Sequence, residues 1–324
     1  MPTFAISAPP QQPVALLASD RVRMRQTVDG IPLTDRARRG TVAANVRPGL
    51  VRRAEPGSCG PLILEAQQCR DQVDITVWGA AETPQHTREC ALDDARAWIG
   101  WHDDVPDLLA LTAAHRGLHA AARHIGEFRL SRLPRVHEAV GRSVLAQLVT
   151  GIEARRSMSQ LAALAGEPAS SGLWCWPTTV RMGSTPTFAL RRCGVNLRSA
   201  RALHASAVDD PQLERVRTDF LQLDGRLRAI PGIGRWTSAE TRLALGDPDA
   251  VSVGDDNLPE TVCHALAGTP SAECDDALML HLLAPFAGQR GRIIQLVVRA
   301  VSRGLLPRSR RHAPRAALSA HRYW

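Results

Sequence analysis

At 324 residues the chain is long enough for one large domain plus a smaller one, and its 44% hydrophobic content is ordinary for a globular protein. Its formal net charge of +8 suits a polyanionic partner such as nucleic acid, and all 40 of its basic residues are arginine, which excludes chemistry that runs through a lysine Schiff base. Its seven scattered cysteines form no C-x-x-C pair or four-cysteine cluster, and no apolar run reaches the roughly 18 residues of a membrane span, so neither a metal nor a cofactor nor a membrane is expected.

Residues 1–58 are rich in Pro, Gly, Arg and small side chains and lack a sustained helical period. They are expected to be irregular, with residues 14–17 an edge strand at most. The first twenty residues also lack the basic start and apolar centre of a secretion signal, so a cytoplasmic, monomeric protein is expected. The pattern changes at Pro61. Leu62-Ile63-Leu64 and the alternating Val73-Asp74-Ile75-Thr76-Val77-Trp78 predict two short strands, and Thr83-Pro84 predicts the start of a helix running to residue 99. Residues 59–106 thus read as a small α/β element.

From residue 107 to 305 helices dominate. Val136, Val140, Val144, Leu148 and Ile152 recur at a spacing of four and predict one helix over 136–154. Further helices are predicted over 198–207, 213–229, 237–245, 258–266, 274–283 and 291–304. Gly246-Asp247-Pro248 is the clearest breaker between them. Trp174 and Trp176 fall on a loop and read as anchors that pack it down, while His102, His115, His119 and His124 stand at no ligand spacing. Residues 306–324 form a basic tail in which Arg308, Arg310, Arg311 and Arg315 are candidate phosphate contacts.

Between two of the predicted helices stands Ile230-Pro231-Gly232-Ile233-Gly234. Two glycines around one apolar residue permit a sharp turn that aims backbone N–H groups outward at the start of the next helix, where a phosphate is bound by N–H groups and helix dipole together. The segment 230–240, followed by Leu245-Gly246-Asp247-Pro248-Asp249-Ala250-Val251-Ser252-Val253-Gly254-Asp255, resembles the signature of the helix-hairpin-helix glycosylase superfamily, most closely its 3-methyladenine DNA glycosylase II branch. The resemblance covers residues 133–295 well, and more faintly Trp101-His102-Asp103-Asp104, which is similar to the family's interdomain linker.

The resemblance implies a mainly α fold, α+β overall, in which a helix-hairpin-helix glycosylase domain follows a small β-containing N-terminal domain. It implies double-stranded DNA containing a damaged base as partner. Asp255 aligns with the family's catalytic aspartate, which stabilises the cationic sugar formed as the base leaves. Asp256 is its rival by one residue, and either could simply cap the next helix. Trp236 stands where bifunctional relatives carry a lysine, and is expected to line the base pocket. Glu240, four residues on, shares its helical face at a position usually aromatic in the family, which leaves the lesion open. Gly232, Ile233, Gly234, Arg235 and Thr237 are expected on DNA. Gln147 and Leu148 resemble the segment that fills the gap left by a flipped base, although Leu148 also fits a core stripe.

The reading is a monofunctional glycosylase of base-excision repair acting on a damaged, alkylated base. The alternatives are a non-cutting protein that binds damaged DNA and an enzyme for another lesion such as uracil or hypoxanthine.

Overall fold

The computed structural model describes residues 15–24 and 40–308. The arginines expected at 310, 311 and 315 lie outside the described residues. Strands β1 (Ala15–Arg23), β2 (Ala43–Arg47), β3 (Leu50–Glu55), β4 (Leu62–Cys69) and β5 (Gln72–Gly79) form one antiparallel sheet in the order β1-β5-β4-β3-β2. Helix α1 (Gln85–Trp98) closes one face of it, with Ala91, Ala95 and Trp98 packed against Val51, Leu64, Val73, Ile75 and Val77.

Three of the five strands lie where irregular chain was expected, and that expectation is wrong for the described residues 15–24 and 40–58. Charged residues masked the alternation. Arg52 of β3 sits directly across from Glu65 of β4 and is paired with it. Its neighbour Arg53 is buried between Glu55 and Glu138, with its guanidinium bonded to both. Two consecutive arginines read as solvent-exposed chain, whereas here each has a carboxylate supplied by another turn of the fold.

The helical part consists of α2 (Leu108–Thr112), α3 (Arg116–Ile125), α4 (Val136–Leu145), α5 (Gly151–Ala165), α6 (Thr179–Ser184), α7 (Thr187–Arg192), α8 (Leu197–Arg215), α9 (Phe220–Ala229), α10 (Arg235–Ala244), α11 (Leu258–Ala267), α12 (Asp276–Leu283) and α13 (Arg290–Ser302). Two apolar clusters hold it together. One joins α4, α8 and the hairpin through Val136, Val140, Leu203, Leu227, Ile230 and Ile233. The other joins α3, α11, α12 and α13 through Leu118, Val262, Met279, Ile293 and Val297. No helix among the described residues is long and apolar enough to cross a membrane.

The single helix expected over 136–154 is two helices. Thr150 caps α5 through the Glu153 N–H, and Glu153 bonds back to the Thr150 N–H at 2.9 Å, a reciprocal box that starts a new helix. Between α4 and α5 the chain turns at Leu148, whose φ is +54°. Ionic contacts fasten the layers: Glu138 of α4 accepts from Arg53 of the sheet and, at 2.8 Å, from Arg142. Buried Arg292 of α13 forks onto both oxygens of Asp103 at 2.7 and 2.9 Å, which holds the linker between sheet and helices.

Candidate active site

Helices α9 and α10 form the two arms of the expected hairpin. Ile230 and Ile233 are buried and pin the turn to the core, and the Ile233 N–H closes it on the Ile230 carbonyl at 3.0 Å. Gly232 takes φ +96°, a conformation an L side chain strains to adopt, and a Cβ there would meet Ala202 at 3.2 Å. Gly234 is the N-cap of α10 and has no side chain to cap it; a Cβ built on it meets nothing within 4 Å. The open N-terminus of α10, beside exposed Arg235, is therefore free to receive an anion. Ser238 Oγ donates to Asp224 at 2.7 Å and locks the two arms together.

Of the residues expected on DNA, Ile233 is spent on the core, and Thr237 and Gln147 do not face outward either. Thr237 is buried, and its hydroxyl accepts from Gln147 Nε2 at 2.7 Å, while the same amide donates to the Gly232 carbonyl at 2.9 Å. Their side chains are satisfied inside, so they brace the hairpin against the α4–α5 turn. Leu148, next to Gln147, lies outside the core: 75% of its surface is exposed, and Ile152 at the start of α5 is 74% exposed. The core role considered for Leu148 is excluded by that exposure, and the left-handed turn is what throws the side chain outward.

The loop from α10 to α11 is fixed along its whole length. Asp247 pairs with Arg242, and Asp249 accepts from Arg290 Nε at 2.8 Å and from the Arg290 N–H at 3.0 Å. Gly291 lets α13 approach this loop so closely that a Cβ would stand 2.6 Å from the Ala250 carbonyl. The Gly254 N–H reaches the Asp276 carboxylate at 3.0 Å. These contacts give a physical reason for the run Gly246 to Gly254.

Asp255 follows. Its Oδ1 accepts from the Asn257 and Leu258 N–H groups, each at 2.8 Å, which ties down the entry to α11, whose N-cap is Asn257, and its Oδ2 accepts from Trp236 Nε1 at 2.9 Å. Asp256 is exposed and has no side-chain hydrogen bond among the described residues. Trp236 is half-buried, and its indole edge is committed to Asp255; Trp236 is not among the residues that line the adjoining cavity.

That cavity, of about 260 Å³, is lined by Glu240, Ser252, Asp255, Asn257, Thr261 and Gln295 and by apolar side chains of α10, α11 and α13. Glu240 accepts from the Ser252 hydroxyl; burial pushes its carboxyl above the ordinary value against the opposing pull of that bond, and the negative charge of Asp255 adds to the rise. Sequence reasoning missed Ser252 because nothing in its spacing pairs it with Glu240; the loop brings it there.

Trp176 is buried beneath α4, where a Cβ on Gly141 would meet its ring at 2.5 Å, and Trp174 packs on the same cluster. His115 caps α3 by accepting from Leu118 and bonds the Leu266 carbonyl at 2.8 Å, a packing role.

No family model matches the chain, and no curated protein matches it. Solved structures do. The 3-methyladenine DNA glycosylase from Archaeoglobus fulgidus aligns with a TM-score of 0.72 at 17% identity, over 87% of this chain and 98% of that one. The 8-oxoguanine glycosylase/lyase of Clostridium acetobutylicum, solved with double-stranded DNA, aligns with a TM-score of 0.60 at 13% identity, over 78% of this chain and 88% of that one. The sheet, the helical layers and the hairpin are thus built on the fold of DNA glycosylases of known structure.

Proposed function

We propose that this protein is a monofunctional DNA glycosylase. The open start of α10 grips a backbone phosphate of double-stranded DNA, Leu148 fills the space vacated by a flipped, damaged base, and the base enters the cavity between Glu240 and Asp255. Asp255 faces the positive charge that develops on the deoxyribose and orients the attacking water, and the product is an abasic site. Alkylated bases are the first class to test. No lysine exists in this sequence for a lysine-dependent lyase step.

The observation that carries the reading is the placement of Asp255: bonded to Trp236 on the hairpin helix, holding the N–H groups at the entry to α11, and lining the cavity. The same hydrogen bonds favour a second reading, a protein that binds damaged DNA without cutting it, in which Asp255 is structural.

Release of free bases from alkylated duplex DNA by the parent protein, Asp255→Asn and Asp256→Asn separates the two. Asp255→Asn removes the charge and keeps an oxygen for the Asn257 and Leu258 N–H groups, but its amide NH2 cannot accept from Trp236, so its melting temperature is measured beside its activity. The glycosylase reading expects release to vanish in Asp255→Asn and to survive in Asp256→Asn. A parent protein that binds damaged duplex and releases nothing would support the second reading.

A further inference from the structure

Two carboxylates line the cavity, and the fold treats them differently. Asp255 accepts three N–H hydrogen bonds. Glu240 receives one bond, from the Ser252 hydroxyl to Oε1, and its Oε2 has no partner among the described residues. Leu243, Ala250, Leu258, Ile294 and Val298 supply the apolar wall around it. In a chain with 40 arginines, none lines this cavity. A carboxyl placed among apolar side chains, without a cation and facing a second carboxylate, is disfavoured as an anion.

We infer that Glu240 is the proton donor of this site: its carboxyl hydrogen-bonds to the damaged base in the cavity and passes its proton to that base as it departs. This rests on the glycosylase reading above and names the substrate class for it. The bond between C1′ and the base nitrogen breaks, and its electron pair leaves with the base. The Glu240 proton goes to a lone pair on the base, so the base departs uncharged. A water oxygen bonds to C1′, and the proton that water sheds returns through solvent to Glu240. One water is consumed, and one free base and one abasic site are formed.

Two carboxyl groups in different surroundings can divide the acid and charge-stabilising roles of one site between them. The upward push of burial and of Asp255 on the Glu240 carboxyl agrees with this division. A methylated base that already carries a positive charge leaves without an acid, so a proton donor serves uncharged lesions, including alkylated ones such as an etheno-adenine.

The test is single-turnover base release across roughly pH 5 to 6.5, a window in which 7-methylguanine keeps its N1 proton and its positive charge, from duplexes carrying 1,N6-ethenoadenine or hypoxanthine, both uncharged, and from duplexes carrying cationic 7-methylguanine. Asp255, on the loop, is the titratable group facing Glu240 across the cavity, while α11 and α13 present Thr261 and Gln295 there. Asp255 acts on every substrate alike, so the comparison between substrates isolates Glu240. For the parent protein, release of an uncharged base is expected to decline on the alkaline side, with 7-methylguanine release lacking that decline.

In Glu240→Gln the release of uncharged bases is expected to fall about 100-fold and to lose its alkaline decline, a much larger loss than that of 7-methylguanine release. The parent profiles require no substitution and stand even if the variant misfolds. Parallel pH profiles for the two kinds of base, an equal effect of Glu240→Gln on both, or release of 7-methylguanine alone overturns the inference and leaves the glycosylase reading intact. No release of any base by the parent overturns both.

Discussion

Trp236 Nε1 and Asp255 Oδ2 stand 2.9 Å apart in a hydrogen bond that joins the first turn of α10 to the loop entering α11. The tryptophan of the hairpin thus sets the orientation of the carboxylate. Trp236→Phe keeps an aromatic ring and removes this bond, and a hydrogen bond to a charged group is worth about 1.5–3 kcal/mol. Base release is expected to slow by at least about tenfold, with duplex affinity nearly unchanged. Single-turnover rates measured beside equilibrium binding check this; loss of both together would make Trp236 a folding residue instead.

Gly234 offers a cleaner probe of the hairpin than Gly232 does. Its φ of −98° is open to alanine and the added methyl meets no protein atom, so Gly234→Ala is expected to fold, with no more than the loss of about 1 kcal/mol that alanine costs at an N-cap. The methyl nevertheless stands at the N-terminus of α10, where the proposed function brings a phosphate. Duplex affinity at fixed salt is expected to fall by about tenfold, the scale of one charged hydrogen bond. Unchanged affinity would move the DNA contact elsewhere.

Leu148 holds a left-handed conformation, with φ at +54°, while its side chain is largely exposed. Glycine adopts that conformation without the penalty of roughly 1 kcal/mol that an L side chain carries. Leu148→Gly is therefore expected to melt at or above the parent temperature while base release slows. A variant that is both less stable and equally active would show the leucine to be a packing residue.

Glu55 gives the fold a pH dependence. Burial raises its carboxyl to about 7, with Glu138 and Asp94 reinforcing the rise and Arg53 and Arg135 opposing it. Its Oε2 is buried without a partner, an environment that suits a protonated acid. Because the folded value lies above the ordinary one near 4.3, the native state holds an extra proton between them, so stability from Glu55 is full below that window and lost as pH rises through it. Asp94 is also shifted up and adds in the same direction. Glu138 is shifted down, and its contribution is lost only as pH falls below the ordinary carboxylate range. Thermal melts from about pH 5 to 8 are expected to show falling stability, on the order of 1–3 kcal/mol, that Glu55→Gln flattens. Parallel melting curves for parent and variant would refute the assignment.

How much of this was legible in the chain depended on whether the partner of each residue was close in sequence. Strand β5 was readable because Val73, Ile75 and Val77 alternate with polar neighbours, and the hairpin because its glycines, isoleucines and flanking helices are contiguous. Strand β3 was not, since the carboxylate that makes Arg53 tolerable in a core includes Glu138 from a helix 85 positions away. The break before α5 was written in Thr150 and Glu153, but the apolar spacing of four ran across it and outweighed it. Asp255 was identified by motif, whereas its bond to Trp236 and the meeting of Glu240 with Ser252 follow from how the loop folds back.

Gln147 donates both to the carbonyl of Gly232 and to the hydroxyl of Thr237, so the turn carrying Leu148 and the hairpin are cross-braced. The molecule therefore resembles a fixed gauge more than a pair of adjustable jaws, because the gap between the protruding leucine and the open helix end has little freedom to widen or narrow. Any rod-like ligand that engages both points must do the bending itself. A stretch already softened by a badly stacked pair bends more cheaply than a sound one. Stiffness would then be sensed before chemistry begins.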